Sequence, residues 1–344
     1  MTRAIGYYVH HHGAGHRARA AIVAGAAGGR VTLLGTGLAG KVGPHRSVEL
    51  PDDRLESTFD GKDATAERPA ALHYAPLDHD GIRRRVAAIT RWIAEARPAV
   101  MVIDVSCEVA MLARLASVAT VYVRLGGVRD DVPHREAFRG AAMLVSPFAQ
   151  ALDAPDTAGW VREKTLYCPG LVERPAIRAV EPGSVLVVVG QGGMASDGAA
   201  WVRAARATPD RRWTVIGQCS GPDELPGNLT LAGWVDDAPR RIAEAEIVVG
   251  SAGDGVVGAV LAAARPFICM PEARPFDEQR CKAASLVAAG AAVLCEQAES
   301  ADWAALIAQA HQLWPEHSAA LDDPAGAARL ADHLLALADR TTRS

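Results

Sequence analysis

The chain runs twice through an alternation of short β-branched stretches and longer stretches of helical period, and this alternation restricts the fold more than any other feature. In the first series the strand candidates are AIGYYV (4–9), VTLLG (31–35), VMVID (100–104), TVYVR (120–124) and AMLVS (142–146). Helices fit 16–27, 80–96 and 107–117, and the polar, turn-rich residues 51–70 predict a mobile surface loop. The second series is SVLVVVG (184–190), WTVIG (213–217), LTLAG (229–233), EIVVG (246–250), PFICM (266–270) and AAVLC (291–295), with helical composition across 300–340. Strand, helix and strand in this order build parallel sheets from βαβ units. The prolines of CPGLVERPAIRAVEPGS (168–184) suit an extended connector between the two series. The expected fold class is therefore α/β, with two Rossmann-like, doubly wound parallel-sheet domains facing across a cleft. Residues 1–170 form the N-terminal domain, 171–183 the linker and 184–320 the C-terminal domain. Residues 321–344 form a last helix placed to pack back on the first domain. A ligand would lie between the domains, at the carboxyl ends of the strands.

Charge narrows the partners. The 36 basic and 40 acidic residues are interspersed, for a net −4, and leave neither a positive stripe for a nucleic-acid backbone nor a polybasic patch for a membrane surface. No stretch approaches the roughly 20 continuous apolar residues of a membrane span, and no charged-then-apolar leader precedes the first strand. A soluble, cytoplasmic protein is expected. The six cysteines, Cys107, Cys168, Cys219, Cys269, Cys281 and Cys295, form no C-x-x-C pair and read as small apolar core residues.

Three segments fit a loose dinucleotide fingerprint: GAGHRA from residue 13, GTGLAG from 35 and GQGGMA from 190. The strict form needs an acidic residue about 20 positions on, at the end of the next strand, to hold a ribose. After GAGHRA that strand ends in LLGTG and after GQGGMA in VIGQC, and GTGLAG runs into KVGPHR, which cannot open a helix. An NAD or FAD enzyme is disfavoured, and no bound cofactor is expected. What GQGGMA keeps is its physical content, small residues between a strand and a helix N-terminus whose free N–H groups suit an anion. GSAGDGVVGAV (250–260) repeats the arrangement. Two such turns in one domain suit a ligand carrying a diphosphate, although small residues closing a βα corner would explain either turn singly.

The stretch from Leu231 to Ala292 resembles the donor-binding half of GT-B glycosyltransferases, on residues that together are far more specific than one glycine loop. They are Gly233-Trp234-Val235 after a strand, the Ser251-Ala252-Gly253 turn, Pro266, and Asp277-Glu278-Gln279 before an Ala-rich helix and Gly290. The resemblance is strongest to glycosyltransferase family 28, which includes the peptidoglycan N-acetylglucosaminyl transferase, and looser to the UDP-glucuronosyl and plant UDP-glycosyl transferases. The first half resembles them through Gly13-x-Gly15-His16-x-x-Arg19 and the strand ending at Asp104. By this resemblance the backbone near Trp234 and Val235 holds the nucleotide base, with the indole against it. Ser251, Ala252, Gly253, Asp254 and Gly255 meet the diphosphate from one loop, and Gln191, Gly192, Gly193 and Met194 approach it from the other. Glu278 and Gln279, following Asp277, hydrogen-bond the donor sugar; the plainer reading of Glu278 is a solvated carboxylate at a helix start. One departure stands out: relatives carry a ribose-binding glutamate where this chain has Ala259.

The histidines bear on catalysis. His12 and His16 have metal-like spacing, but Gly13 and Gly15 break the helix that such spacing needs and no acidic or cysteine ligand is near, so no metal site is expected. Asp78-His79-Asp80 mimics a cation-binding D-x-D, yet helix capping before GIRRRVAAITRWIAEA accounts for it. In the UDP-glycosyl transferases a histidine after the first strand takes the acceptor's proton and an aspartate orients it. His16 and Asp104 fall at those places. Independently, an imidazole near neutral pKa can accept a proton, and a carboxylate on its other nitrogen stabilises the product. The plainer reading of His16 is a helix-start residue bonded to a carbonyl. His10, His11 and His12 are expected to wall the acceptor site, with Gly13 and Gly15 beside it. Arg19 either reaches an anionic acceptor or lies on the helix surface, and residues 122–139, with four arginines, read as a solvated loop.

The reading is an inverting glycosyltransferase that moves a sugar from a nucleotide-diphosphate donor, most simply UDP-linked, to a hydroxyl of a small-molecule, lipid or glycan acceptor. Two alternatives share the scaffold: a UDP-sugar 2-epimerase, whose expected cluster of acidic and basic residues the first-domain sequence does not display, and a non-catalytic nucleotide-sugar-binding protein.

Overall fold

A computed structural model describes residues 3–11, 14–55, 57–176, 178–190, 198–222 and 224–341. Among these, the first half carries strands β1 (Ile5–Tyr8), β2 (Val31–Gly35), β3 (Ser47–Glu49), β4 (Val100–Asp104), β5 (Ala119–Val123), β6 (Met143–Ser146) and β7 (Thr165–Tyr167). The second half carries β8 (Glu181–Val188), β9 (Arg212–Ile216), β10 (Leu229–Gly233), β11 (Ala245–Gly250), β12 (Phe267–Cys269) and β13 (Val293–Leu294). The helices are α1 (Ala14–Ala26), α2 (Asp80–Ala96), α3 (Cys107–Leu115), α4 (Val132–Gly140), α5 (Gly159–Lys164), α6 (Ala199–Ala207), α7 (Ala238–Glu244), α8 (Asp254–Ala263), α9 (Glu278–Ala288), α10 (Trp303–Ala310), α11 (Pro315–Ala319) and α12 (Gly326–Thr341).

Every strand pairing is parallel, in two sheets ordered β3-β2-β1-β4-β5-β6-β7 and β10-β9-β8-β11-β12-β13. Each sheet is covered on both faces, which is why its central strands read as continuous apolar runs. On β1, Tyr7 packs into one core with α1, while Tyr8 packs into the other with α2 and α3. Leu330, Leu334 and Ala338 of α12 complete the first of these cores, so the last helix covers the N-terminal sheet beside α1. In the second domain α8 and α9 cover one face and an indole cluster of Trp201, Trp213 and Trp303 the other. Four of the cysteines, Cys107, Cys168, Cys269 and Cys295, are buried and all six are free thiols.

Strand order places the functional surface. Both sheets wind outward from a central pair, β1/β4 in the first and β8/β11 in the second. Helices leave the two members of such a pair toward opposite faces, and the crevice between their carboxyl ends is open to a ligand. In the first sheet that crevice lies beside the residues after Tyr8 and at Asp104. In the second it lies beside the residues after Val188 and at Ser251.

Four elements depart from the sequence reading, one of them the short helix α5, which the expected set does not include. The short edge strands β3 and β7 lie outside the expected set because three residues each, SVE and TLY, are too few to show a strand period. Residues 122–139 are not a solvated loop: β5 runs to Val123, α4 occupies Val132–Gly140, and Arg124 is buried. That burial is possible because Asp153 takes both Nη atoms of Arg124.

Candidate active site

The first-domain crevice is built on charge. Asp104 closes β4 with none of its side chain exposed, and its carboxylate meets two residues of α1. His16 Nδ1 lies 3.0 Å from Asp104 Oδ2. Arg19, one helical turn further, donates through Nη2 to Oδ1 (2.8 Å) and Oδ2 (3.1 Å). Burial pushes the Asp104 carboxyl up, but Arg19 and then His16 outweigh it and bring it down to about 2. Asp104 is therefore an anion near neutral pH. Arg19 does not lie on the helix surface and is not free for an acceptor; it is buried because its charge is taken by Asp104. Its Nη2 is also 2.9 Å from His16 Nδ1, so that nitrogen either donates to Asp104 or accepts from Arg19.

A second pair of the same kind adjoins it. His11 Nδ1 lies 3.3 Å from Asp53 Oδ1, and Arg85, buried against the Tyr8 hydroxyl (2.7 Å), reaches Asp53 Oδ2 at 3.4 Å. His10 links the two pairs, its ring stacked on His11 at 4.8 Å and tilted to His16 at 5.4 Å. Gly15 sits in the first turn of α1, while His12 and Gly13 lie outside the described residues.

Across the cleft, β11 ends at Gly250 and the turn Ser251-Ala252-Gly253 leads into α8. Gly253 is the N-cap and supplies no side-chain bond, so the first N–H groups of α8 are left to another acceptor. Gly255 has open space around its α-carbon. Asp254, in the first turn, is held by two cations: Lys282 from α9 bonds Oδ1, and Arg19 Nη1 comes to 3.6 Å of Oδ2. Burial raises the Asp254 carboxyl, and Lys282 followed by Arg19 lowers it further than burial lifts it. Lys282 is only 1% exposed, yet nothing in its Ala-rich helix marks it as part of a site. The signal that could have found it is the lysine itself, on the apolar side of α9.

The residues expected to meet the sugar have other partners. Gln279 is buried, and its amide oxygen accepts from Ala252 N (3.1 Å) and Glu272 N (2.9 Å), so it fixes the 251–253 turn and offers no oxygen to a sugar. Glu278 is not a solvated carboxylate, because its Oε2 accepts from Arg129 Nη2 (2.8 Å). Asp277 caps α9 in a left-handed conformation, φ 49°, without a side-chain bond to the helix. Trp234 is 59% exposed beyond β10, while Val235 packs against the C-terminal core. Ala259 is buried in that same core. Gln191, Gly192, Gly193 and Met194 lie outside the described residues.

The remaining glycine motif is explained locally. The amides of Gly37, Leu38 and Ala39 converge on the carboxylate of Glu49, so the GTGLAG turn already has its anion. Asp78-His79-Asp80 caps α2 through His79, which accepts from Ile82 N. Among the described residues His73, Cys107 and His134 bring ligand-type atoms within 4.8 Å of one another. Both nitrogens of His134 are engaged, however, Nδ1 by Asp131 (2.6 Å) and Nε2 by Arg129 (3.1 Å). A guanidinium at that distance repels a cation, and burial pushes the Cys107 thiol up to about 12, far from a thiolate. The cluster is a hydrogen-bond chain.

Residues 219–333 match the glycosyltransferase family 28 C-terminal domain. No curated protein is significantly similar to the chain in sequence. Solved structures are similar over its whole length. The glycotransferase of kitacinnamycin shares 16% identity at a TM-score of 0.65, covering 100% of this chain and 99% of that one. MurG of Acinetobacter baumannii shares 16% at 0.63, covering 99% and 100%. The spinosyn rhamnosyltransferase SpnG, solved with thymidine diphosphate, shares 18% at 0.63, covering 96% and 100%, and was also solved with spinosyn aglycone. At these identities the likeness establishes the GT-B fold.

Proposed function

From a chain of GT-B fold whose residues 219–333 match the glycosyltransferase family 28 C-terminal domain, we propose a glycosyltransferase that transfers a sugar from a nucleoside-diphosphate donor to an acceptor hydroxyl with inversion at the anomeric carbon. The observation that carries the reading is the 3.0 Å approach of His16 to the fully buried Asp104, at the crevice that faces the uncapped start of α8.

With Nδ1–H donated to Asp104, Nε2 of His16 keeps its lone pair and accepts the acceptor's proton as the oxygen attacks the anomeric carbon. Asp104 remains ionised and stabilises the imidazolium. The glycosyl–oxygen bond breaks, and the diphosphate leaves with the electron pair toward the backbone N–H groups at the start of α8, with Lys282 close behind Asp254. The loop 191–194 is assigned to the same diphosphate. Trp234, exposed beside β10, supplies a flat apolar surface for the base. UDP is the nucleotide proposed. Thymidine diphosphate in SpnG makes dTDP the comparison to run beside it. The acceptor side comprises His10, His11, His16 and the Asp53 pair, and an aglycone of the kind bound by SpnG belongs there.

The test has two arms. Calorimetric titration with UDP, dTDP and GDP is expected to show one nucleoside diphosphate bound, with no binding of NAD. Incubation with the corresponding nucleotide sugar is expected to release nucleoside diphosphate, slowly by hydrolysis and faster with acceptor. His16→Ala and Asp104→Ala should lose turnover by about 10²-fold or more, the usual scale of general-base catalysis, while keeping nucleotide affinity. Full activity in both variants would reject the assignment, and an Nε2-protonated imidazole in the nitrogen-15 spectrum of His16 would reject the base.

A further inference from the structure

The two domains touch at a second place, away from the base. Loop 126–129, which follows β5, lies against residues 276–278, which lead into α9. Val128 N donates to the Phe276 carbonyl (2.8 Å). Gly127 has φ +89°, and a Cβ there would sit 2.8 Å from Glu278 Cα, so only glycine lets the two backbones come so close. Arg129 then stacks its guanidinium over the Phe276 ring, 4.8 Å from the centroid, and gives each donor group a separate partner: Nε to Gly126 O (2.9 Å), Nη1 to His134 Nε2 (3.1 Å) and Nη2 to Glu278 Oε2 (2.8 Å). His134 is fixed in turn by Asp131, which also accepts from His73 Nε2 at 2.8 Å. The guanidinium is therefore held in one orientation, by Gly126 and His134 on its own domain and by the Phe276 ring and Glu278 on the other.

We propose that Arg129 is a positioning residue for the donor sugar, acting through Glu278. The proposal rests on the donor reading above and goes beyond it by making an N-terminal-domain side chain a determinant of sugar affinity. By holding Oε2, Arg129 fixes the direction of Glu278 Oε1, the oxygen left to accept from a sugar hydroxyl. Since the Arg129 charge is already matched by Glu278, the pair favours an uncharged, hydroxylated sugar over a uronic acid, whose carboxylate would meet Oε1.

The experiment compares dissociation constants of UDP and dTDP with those of UDP-glucose, UDP-N-acetylglucosamine, UDP-glucuronate and dTDP-glucose, for the wild type, Arg129→Met, Arg129→Lys, Glu278→Gln and the double variant Arg129→Met/Glu278→Gln. In the wild type a neutral sugar is expected to add affinity over the bare nucleotide. That increment should fall at least fivefold in Arg129→Met and in Glu278→Gln, return in part in Arg129→Lys, and fall no further in the double variant, because the two residues act as one unit. Affinity for the bare nucleotide should stay within twofold throughout. Equal weakening of nucleotide and nucleotide sugar would overturn the assignment in favour of a purely structural contact. So would an increment that survives Arg129→Met, additive losses in the double variant, or a preference for UDP-glucuronate. A wild type that binds no nucleotide would sink the donor reading itself, and this inference with it.

Discussion

Replacing Asp104 by asparagine tests the charge network at the candidate base, and its size follows from the structure. The carboxyl titrates near 2 in the folded protein against an ordinary 3.8. At about 1.4 kcal/mol per pH unit, that difference is worth about 2.5 kcal/mol. Because the folded value is the lower one, the contribution is complete above about pH 5 and decays as the pH falls through 4 toward 2. Asparagine keeps the shape but removes the charge and strands Arg19, which is buried, with Asp254 at 3.6 Å as its remaining anion. Losing one partner of a buried pair costs about 3–5 kcal/mol. The nearby Asp254 puts the expectation at the low end, about 3 kcal/mol. For a domain of this size that is a fall of roughly 6–12 °C in melting temperature. Scanning calorimetry of wild type and Asp104→Asn at pH 7, 5, 4 and 3 would show a gap that is full at pH 7 and shrinks steadily below pH 4. A gap independent of pH, or none at pH 7, would refute the reasoning, because either result means that Asp104 does not carry its charge against Arg19 and His16.

Other perturbations address the neighbouring elements. Lys282→Met should destabilise by about 3 kcal/mol, since it leaves Asp254 with Arg19 alone, and Lys282→Met/Asp254→Asn should recover part of that in urea unfolding; no recovery would mean that the pair is not the cause. Burial, and then Arg129, hold the His134 imidazole down at about 4 against the opposing pull of Asp131, so its carbon-bound proton resonances should stay constant from pH 8 to 5.5; a titration midpoint near 6.5 would contradict the chain from Asp131 to Arg129. Gly127→Ala should cost about 1–3 kcal/mol through its left-handed backbone and the collision with Glu278, and should speed hydrogen exchange at the Val128 amide; unchanged exchange would show that the clasp tolerates a Cβ.

Much of the fold is readable in the chain because parallel strands buried on both faces must be apolar throughout. VMVID and EIVVG leave no other reading, and β4 and β11 stand where those runs stand. Elements at the sheet edges escape that rule. SVE and TLY are only three residues long, too short to show a period. Helix α4 escapes for another reason, since its residues VPHREAFRG look solvated until the structure shows His134 and Phe138 turned inward.

The candidate site divides along the same line. His16 and Asp104 could be paired from sequence because each follows one member of the central strand pair, and doubly wound topology brings those two ends together whatever lies between. No local pattern announces Lys282, Arg129 or the His11–Asp53 pair, because each gains its role from a partner 28, 149 or 42 residues away on another element. The same distance hides the partners of Gln279 and Glu278. Their polar atoms are visible in the sequence, whereas the amide of Ala252 and the guanidinium of Arg129 that engage them are not. Motifs set by backbone topology are thus legible from one chain, while pairs joined across distant elements become legible only once the chain is folded. Arg19 belongs to both classes: helical spacing puts it one turn beyond His16 and the first sheet gives it Asp104, but Asp254 reaches it from the other domain. The base and the start of α8 are consequently joined through one guanidinium.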